Sequence, residues 1–178
     1  GGMFRNVRAE VLSAELIKAL FKRNPAADPN EVEDVIWGCV NQTLEQGMNI
    51  ARNTLLLAGL PHTVPGQTVN RLCGSSMQAL HTAAAQIMTG QGDVFVIGGV
   101  EHMGHHPMGE EVDFNPRFVS ERLIDESAAT MGQTAENLHD RFPHLTKERA
   151  DAFAAASQAK LAKAYADGKV QPDLVPVA

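Results

Sequence analysis

Cys73 stands at a position where a cysteine can act as a nucleophile. An apolar run ends at Val69, and a segment with helical periodicity begins with Gly74-Ser75-Ser76, so the sequence predicts the order strand, cysteine, helix. Ligands of α/β proteins gather at the ends of sheet strands, and the N–H groups of a helix N-terminus stabilise a thiolate. Gly74 would let the backbone approach a substrate, and N–H groups of the turn could hold an oxyanion. The arrangement suits acyl transfer through a thioester on the protein.

Spacing alone leaves a second interpretation of Cys73 open, in which it is a small residue of the buried core. The other cysteine, Cys39, lies in the apolar run 35–40, which predicts a buried strand and matches no catalytic pattern. The two cysteines could in principle form a disulfide. A chain of 178 residues with two cysteines is more typical of a reduced, cytoplasmic protein, and this is the compartment that we predict.

Three histidines lie close together after the last apolar run of the first hundred residues. His102, His105 and His106 could bind zinc as a group, but no fourth ligand follows at a recognisable spacing. We interpret them as part of a polar loop at the exit from the sheet, and we predict no metal site.

The elements around these residues alternate between helix and strand, which predicts an α/β fold. Helical patterns cover residues 8–23, 49–58, 74–89, 128–141 and 146–167, and strand patterns cover 35–40, the end of 63–69, and 93–100. The last run is apolar throughout and bounded by glycine, which is typical of a central strand in a parallel sheet. In the helix after Cys73, five apolar residues at helical spacing predict the buried face: Met77, Leu80, Ala84, Ile87 and Met88.

Composition excludes several classes of protein. The formal net charge of −6 provides no basic surface for nucleic acid or for an anionic membrane. No apolar run approaches the roughly 20 residues of a membrane-spanning helix, and the first residues lack the apolar core of a secretory signal. We therefore predict no nucleic-acid partner and no transmembrane segment.

Four segments, in the same order along the chain, resemble motifs of the thiolase family. Residues 69–80 around Cys73 read VNRLCGSSMQAL and closely resemble the nucleophile segment of that family. Residues 98–103 (GGVEHM), 47–52 (GMNIAR) and 131–137 (MGQTAEN) resemble three further thiolase motifs, and 151–154 and 174–177 match shorter family stretches. The resemblance therefore covers nearly the whole chain.

The resemblance implies an α/β fold of the thiolase type, with a mixed sheet between helices. That sheet is the first half of a duplicated core and is followed by an inserted loop domain. On this basis residues 1–103 are expected to form an incomplete N-terminal core domain, and residues 104–178 the beginning of the inserted domain.

The resemblance also implies a reaction. Thiolases cleave 3-ketoacyl-CoA with coenzyme A, and carried over to this chain Cys73 is the nucleophile that holds the acyl group as a thioester. The backbone N–H of Cys73 then forms part of an oxyanion hole, and Met131 lies near the acyl pocket. Coenzyme A is a co-substrate, and no permanently bound cofactor is expected.

Three thiolase motifs do not occur in these 178 residues. They are the Gly-His-Pro histidine that activates the nucleophile, the second cysteine in Cys-x-Gly-Gly-Gly, and the Asn-Glu-Ala-Phe segment beside an oxyanion site. The family's first strand, with its Arg-Thr-Pro segment, is also missing before Gly1. We therefore expect the chain to be shortened at both ends and to be inactive by itself.

Residues 42–47 and 102–108 are most similar to the thiolase subunit of the bacterial fatty-acid β-oxidation complex, which implies a degradative role. They also imply a homodimer that partners a hydratase/dehydrogenase α subunit. Two other enzymes on this fold remain alternatives, the biosynthetic acetoacetyl-CoA thiolase and a decarboxylating ketosynthase, although the context of Cys73 favours thiolase. A third alternative is a non-catalytic, thiolase-like protein that binds acyl-CoA or lipid.

Overall fold

A computed structural model of the chain describes residues 2–177, which form two compact units. The first unit extends to Glu110 and includes the residues from Val175 onward, and the second is Glu111–Leu174. In the first unit the elements are α1 (Ala9–Arg23), β1 (Asp34–Gly38), α2 (Ile50–Leu57), β2 (Gly66–Val69), α3 (Ser75–Met88) and β3 (Phe95–Gly99). The α/β class predicted from the sequence is confirmed.

The three strands form a parallel sheet in the order β2-β1-β3. β1 is therefore the central strand of the described sheet, and the expectation that residues 93–100 supply a central strand is wrong. The register pairs Gly38 with both Val69 and Gly99, so the carboxyl ends of all three strands lie at one edge. The residues that follow each strand are consequently brought together at that edge.

Alternate residues of β1 pack against different helices, as the period of a strand requires. Val35 and Trp37 belong to a core cluster with residues of α1 and α2, including Ile17 and Leu55. Ile36 points to the other face and packs against Ala79 and Ala83 of α3. Helices thus cover both faces of β1, which explains why the strand is apolar throughout.

The buried face of α3 differs from the predicted one. Ser75, Ala79 and Ala83 are buried, whereas all five predicted residues are exposed in the described structure, namely Met77, Leu80, Ala84, Ile87 and Met88. The helix packs its small residues on the sheet because the strands end in Gly38 and Gly99 at this point. Without side chains there, the backbone of α3 approaches that of β1 closely. Apolar periodicity alone favoured the larger side chains and selected the wrong face.

The second unit contains α4 (Arg117–Ser120), α5 (Met131–Arg141) and α6 (Lys147–Ala166). The last two were predicted from helical patterns, and Thr146 caps α6 by accepting a hydrogen bond from the Arg149 N–H. None of the described residues of these three helices is buried. Across residues 2–177, no helix is both long enough and apolar enough to cross a membrane.

Candidate active site

Cys73 lies at the carboxyl edge of the sheet, in the short connection between β2 and α3. Its side chain is exposed, and its sulfur is a free thiol. The interpretation of Cys73 as a buried core residue is therefore wrong. Gly74 is the N-cap of α3, so the cysteine directly precedes the helix, as the sequence predicted.

The backbone immediately before Cys73 forms a tight turn. Leu72 has a positive φ of 48°, which lies in the left-handed region that residues other than glycine seldom adopt. The Leu72 N–H donates to Asn70 Oδ1 at 2.9 Å, and the Leu72 carbonyl accepts from the Ser75 hydroxyl at 2.6 Å. The Gly74 N–H donates to the Arg71 carbonyl at 3.0 Å. Hydrogen bonds on both sides of Leu72 therefore fix the direction in which the chain enters Cys73.

Two strand-end glycines allow α3 to start directly on the sheet edge. A Cβ on Gly38 would lie 2.7 Å from the Ser76 backbone nitrogen and 2.8 Å from the Ser75 carbonyl carbon. A Cβ on Gly99 would overlap Ser76 Oγ. Any larger residue at Gly38 would force the first turn of α3 away from the strand, and Cys73 would move with it.

Glu101, which follows β3, holds the loop that follows β1. Its carboxylate accepts from the Val40 N–H at 2.8 Å and from the Asn41 N–H at 3.2 Å. The Val40 carbonyl in turn accepts from the Asn70 amide at 3.3 Å. A chain of hydrogen bonds therefore connects the end of β3, through the loop after β1, to the turn that precedes Cys73.

Gln46 is a fully buried polar residue that joins the same loops. Its amide nitrogen donates to the Asn41 carbonyl at 2.8 Å and to Glu101 Oε1 at 3.0 Å, and its amide oxygen accepts from the His102 N–H at 2.7 Å. The amide nitrogen and the amide oxygen of Gln46 therefore both have hydrogen-bond partners, as a buried amide requires. Sequence reasoning did not single out Gln46 because its partners lie up to 56 residues away.

Cys39 is buried directly after β1 and belongs to the hydrophobic core. Burial, together with the negative charge of Glu101, raises the pKa of its thiol to about 12. The residue is a free cysteine, and its chemistry is that of an inert core thiol. The predicted burial of Cys39 is confirmed, but β1 ends at Gly38, so Cys39 follows the strand and does not belong to it as the sequence predicted.

The three histidines lie together with Glu45, a residue that the sequence did not indicate. His105 Nδ1 lies 2.6 Å from Glu45 Oε1, and its Nε2 lies 2.7 Å from the Arg5 carbonyl oxygen. The His102 ring stacks on that of His105 with centroids 3.8 Å apart, and buried His106 has Nε2 at 3.9 Å from Glu45 Oε2. Among residues 2–177, no group of three or more His, Cys, Asp or Glu side chains is arranged to hold a metal ion.

Both ring nitrogens of His105 lie against hydrogen-bond acceptors. Only the doubly protonated ring can donate a hydrogen bond to each of them. The hydrogen bond to the Arg5 carbonyl and the one to Glu45 raise the pKa of His105. Partial burial favours the neutral form of Glu45, but the hydrogen bonds from His105 and from the Ala9 N–H outweigh it and lower the pKa of that carboxyl. The group thus ties the first residues of the chain to the turn Leu44–Gln46.

Met131 is the first residue of α5 and belongs to the second unit. Its side chain is 78% exposed. Its expected place beside an acyl pocket stays a prediction.

An apolar cavity of about 270 Å³ lies on the first unit, and Cys73 does not line it. It is lined by residues of α1, β1 and β3, namely Leu16, Ile17, Leu20, Trp37 and 96–99. These side chains contain no titratable or nucleophilic group, so the cavity offers apolar surface and no chemistry of its own.

Comparison with known proteins identifies the family of the chain. The family model described as the thiolase N-terminal domain matches residues 1–178. A 3-ketoacyl-CoA thiolase of Shewanella frigidimarina is 58% identical over 173 residues, which is 97% of this chain and 44% of that protein. A 3-ketoacyl-CoA thiolase of Acinetobacter baumannii is 58% identical over 176 residues, again 44% of its length. The chain therefore spans less than half the length of these curated relatives.

A solved structure gives the same answer for the fold. The crystal structure of the Bacillus anthracis acetyl-CoA acetyltransferase superposes with a TM-score of 0.80 at 35% identity, covering 99% of this chain and 47% of that one. The chain belongs to the thiolase family, of which it carries the N-terminal domain. The family resemblance drawn from the motifs is confirmed, and so is the thiolase-type fold.

Proposed function

We propose that the protein that carries this chain is a degradative 3-ketoacyl-CoA thiolase and that Cys73 is its nucleophile. The observation that carries the proposal is an exposed, free cysteine held directly before α3, in a chain of the thiolase family. Relatives at 58% identity are named 3-ketoacyl-CoA thiolase, whereas the acetyl-CoA acetyltransferase structure is 35% identical. That difference favours the degradative role over the biosynthetic one.

In the proposed reaction the Cys73 thiolate adds to the 3-keto carbon of the acyl-CoA. The C2–C3 bond then breaks, acetyl-CoA leaves after its C2 takes up a proton, and the shortened acyl group remains on the sulfur as a thioester. The thiol of coenzyme A attacks this thioester, releases the shortened acyl-CoA and regenerates Cys73. The backbone N–H of Cys73 is proposed to stabilise the oxyanion of the thioester steps.

The finer assignments rest on the resemblance of particular segments. Residues 42–47 and 102–108 support a place in fatty-acid β-oxidation, with a hydratase/dehydrogenase α subunit as partner and a homodimer as the assembly. Met131 is proposed to line the acyl pocket, and residues 104–178 to begin the inserted loop domain. A cytoplasmic location agrees with the two free cysteines.

The test is thiolysis by the natural protein, with coenzyme A and either acetoacetyl-CoA or a long-chain 3-ketoacyl-CoA. We expect faster cleavage of the long-chain substrate and loss of at least about a thousandfold in rate for Cys73→Ala, because the covalent step is removed. Cys39→Ala is the matched control and should retain activity. A folded protein that cleaves neither substrate would overturn the proposal and favour the non-catalytic, acyl-CoA-binding alternative, while preference for acetoacetyl-CoA would favour the biosynthetic one.

A further inference from the structure

Ser75 makes two side-chain hydrogen bonds, and both go to the residues just before Cys73. Its hydroxyl donates to the Leu72 carbonyl at 2.6 Å and accepts from the Arg71 N–H at 2.9 Å. The residue is 5% exposed, so water does not compete for these bonds. The hydroxyl therefore closes a small ring around the nucleophile position, from the start of the helix back to the turn.

These bonds are not the usual use of a serine at a helix start. A capping serine stands one residue before the helix and accepts from an N–H in the first turn. Here Gly74 occupies the N-cap position and no side chain caps α3. Ser75 is already the first residue of the helix, and its hydroxyl points backwards along the chain. Its hydrogen bonds thus serve the turn before Cys73 and not the helix.

The turn needs such support because Leu72 is in the left-handed conformation. That conformation is unfavourable for a residue with a Cβ, so it persists only where neighbouring contacts impose it. Ser75 binds the Leu72 carbonyl, and the exposed Asn70 binds the Leu72 N–H at 2.9 Å. Both polar groups of the strained residue are therefore held by side chains.

We propose that Ser75 is a positioning residue for the nucleophile, whose hydroxyl holds Leu72 in its left-handed conformation and so directs the Cys73 thiol toward the substrate. The inference rests on the proposed function, in which Cys73 is the nucleophile. It adds a residue that acts through the backbone and does not touch the reacting atoms. Asn70 supports the same turn from the other side.

The experiment compares Ser75→Ala with Ser76→Ala in the natural protein. Ser76 is the adjacent matched control, because it is exposed and its hydroxyl forms no hydrogen bond with any residue of 2–177. We expect Ser75→Ala to lower kcat by about ten- to a hundredfold with KM within about twofold, as misplacement of a reacting group does. Ser76→Ala should change neither constant by more than about twofold.

A second readout does not depend on thiolysis. Iodoacetamide alkylation of Cys73, followed by mass spectrometry of the peptide, reports how the thiol is presented. Ser75→Ala should change the alkylation rate constant by about threefold or more, and Ser76→Ala should leave it unchanged. If the natural protein shows no thiolysis, the proposed function fails, and the alkylation comparison still decides the part played by Ser75.

A third variant tests the same turn if Ser75→Ala does not fold. Asn70→Ala changes an exposed side chain and removes only the support of the Leu72 N–H and the bond to the Val40 carbonyl. It should lower kcat in the same direction by a smaller factor, with the melting temperature nearly unchanged. Wild-type kcat and wild-type alkylation in folded Ser75→Ala, or in Asn70→Ala where Ser75→Ala does not fold, would overturn the proposal.

Discussion

Gly38 shows how a single missing Cβ determines where Cys73 lies. A Cβ at this position would come within 2.8 Å of two backbone atoms of the first turn of α3, and backbone atoms cannot rotate away as a side chain can. The end of β1 and the start of α3 are thus in direct contact. Cys73 and Gly74 directly precede that turn, so this contact also determines where they lie.

Replacement of Gly38 by alanine should therefore lower the free energy of unfolding by about 1–3 kcal/mol, because the helix start must shift. The matched control is Gly132→Ala in α5, where no atom lies within 4 Å of the added Cβ. The control should be neutral or stabilising by up to about 1 kcal/mol, since alanine favours helix. Urea denaturation followed by circular dichroism measures both, and equal stability of the two variants would contradict the close contact.

At this scale the sequence predicted the position of Cys73 before a helix but not the residues that hold the loops around it. Cys73 was accessible to prediction because its neighbours in the chain, Val69 and Gly74, define the end of a strand and the start of a helix. Glu101 lies 55 residues from Gln46 and 60 residues from Asn41 in the chain, and its hydrogen bonds with them arise only when parallel strands bring their carboxyl ends together. No local pattern carries that information.

At the scale of elements, the ends of the helices were predicted better than the order of the strands in the sheet. The ends of α2 and α6 carry local signals, with Gly59 and Gly168 at positive φ just beyond their last residues. The strand order β2-β1-β3 depends instead on pairing between strands that are distant in the chain. The apolar run 93–100 was therefore predicted to be a central strand, whereas β3 is an outer strand of the described sheet. The buried face of α3 was missed for a related reason, because close packing on glycine favours alanine and serine over larger residues.

The contact between the start of the chain and the turn Leu44–Gln46 should depend on pH through His105. The folded protein raises the pKa of His105 above its ordinary value of 6.5. The stabilisation is therefore complete below the ordinary pKa and is lost as pH rises through the raised one. The charged groups that face the ring are Glu45 and Arg8, with His102 stacked on it and His106 beside Glu45.

The measurement is the melting temperature of the wild type and of His105→Gln between about pH 5.5 and 8.5, a window that brackets the ordinary histidine pKa. The wild type should be the more stable protein at the low end, and the difference should shrink as pH rises. Glu45 titrates below this window because its pKa is lowered, so it does not reverse the trend. His62→Gln, an exposed loop variant, should follow the wild type. A difference that grows with pH would contradict the assigned hydrogen bonds.

At the scale of the whole molecule, the described chain presents Cys73, the proposed nucleophile, without an adjacent base. No residue of 2–177 forms a hydrogen bond with the Cys73 thiol, so the start of α3 can stabilise the thiolate but no described side chain can take the proton from the thiol. The relatives are more than twice as long as this chain, so most of their length lies outside the alignment. We therefore assign to these 178 residues the presentation of Cys73 and not the full reaction.

The 178-residue chain alone should consequently react once but not turn over. Iodoacetamide near pH 8 should modify one cysteine per chain, Cys73, because Cys39 is buried and its pKa of about 12 keeps it protonated. With acetoacetyl-CoA and coenzyme A, the same chain should release no more than about one acetyl-CoA per thiol, since the nucleophile lacks a base. Peptide mapping and an acetyl-CoA assay measure the two results, with Cys73→Ala as the control that abolishes labelling. Sustained turnover that disappears in Cys73→Ala would mean that the chain holds a base for its nucleophile, and rapid labelling of Cys39 would mean that the core around β1 opens in solution.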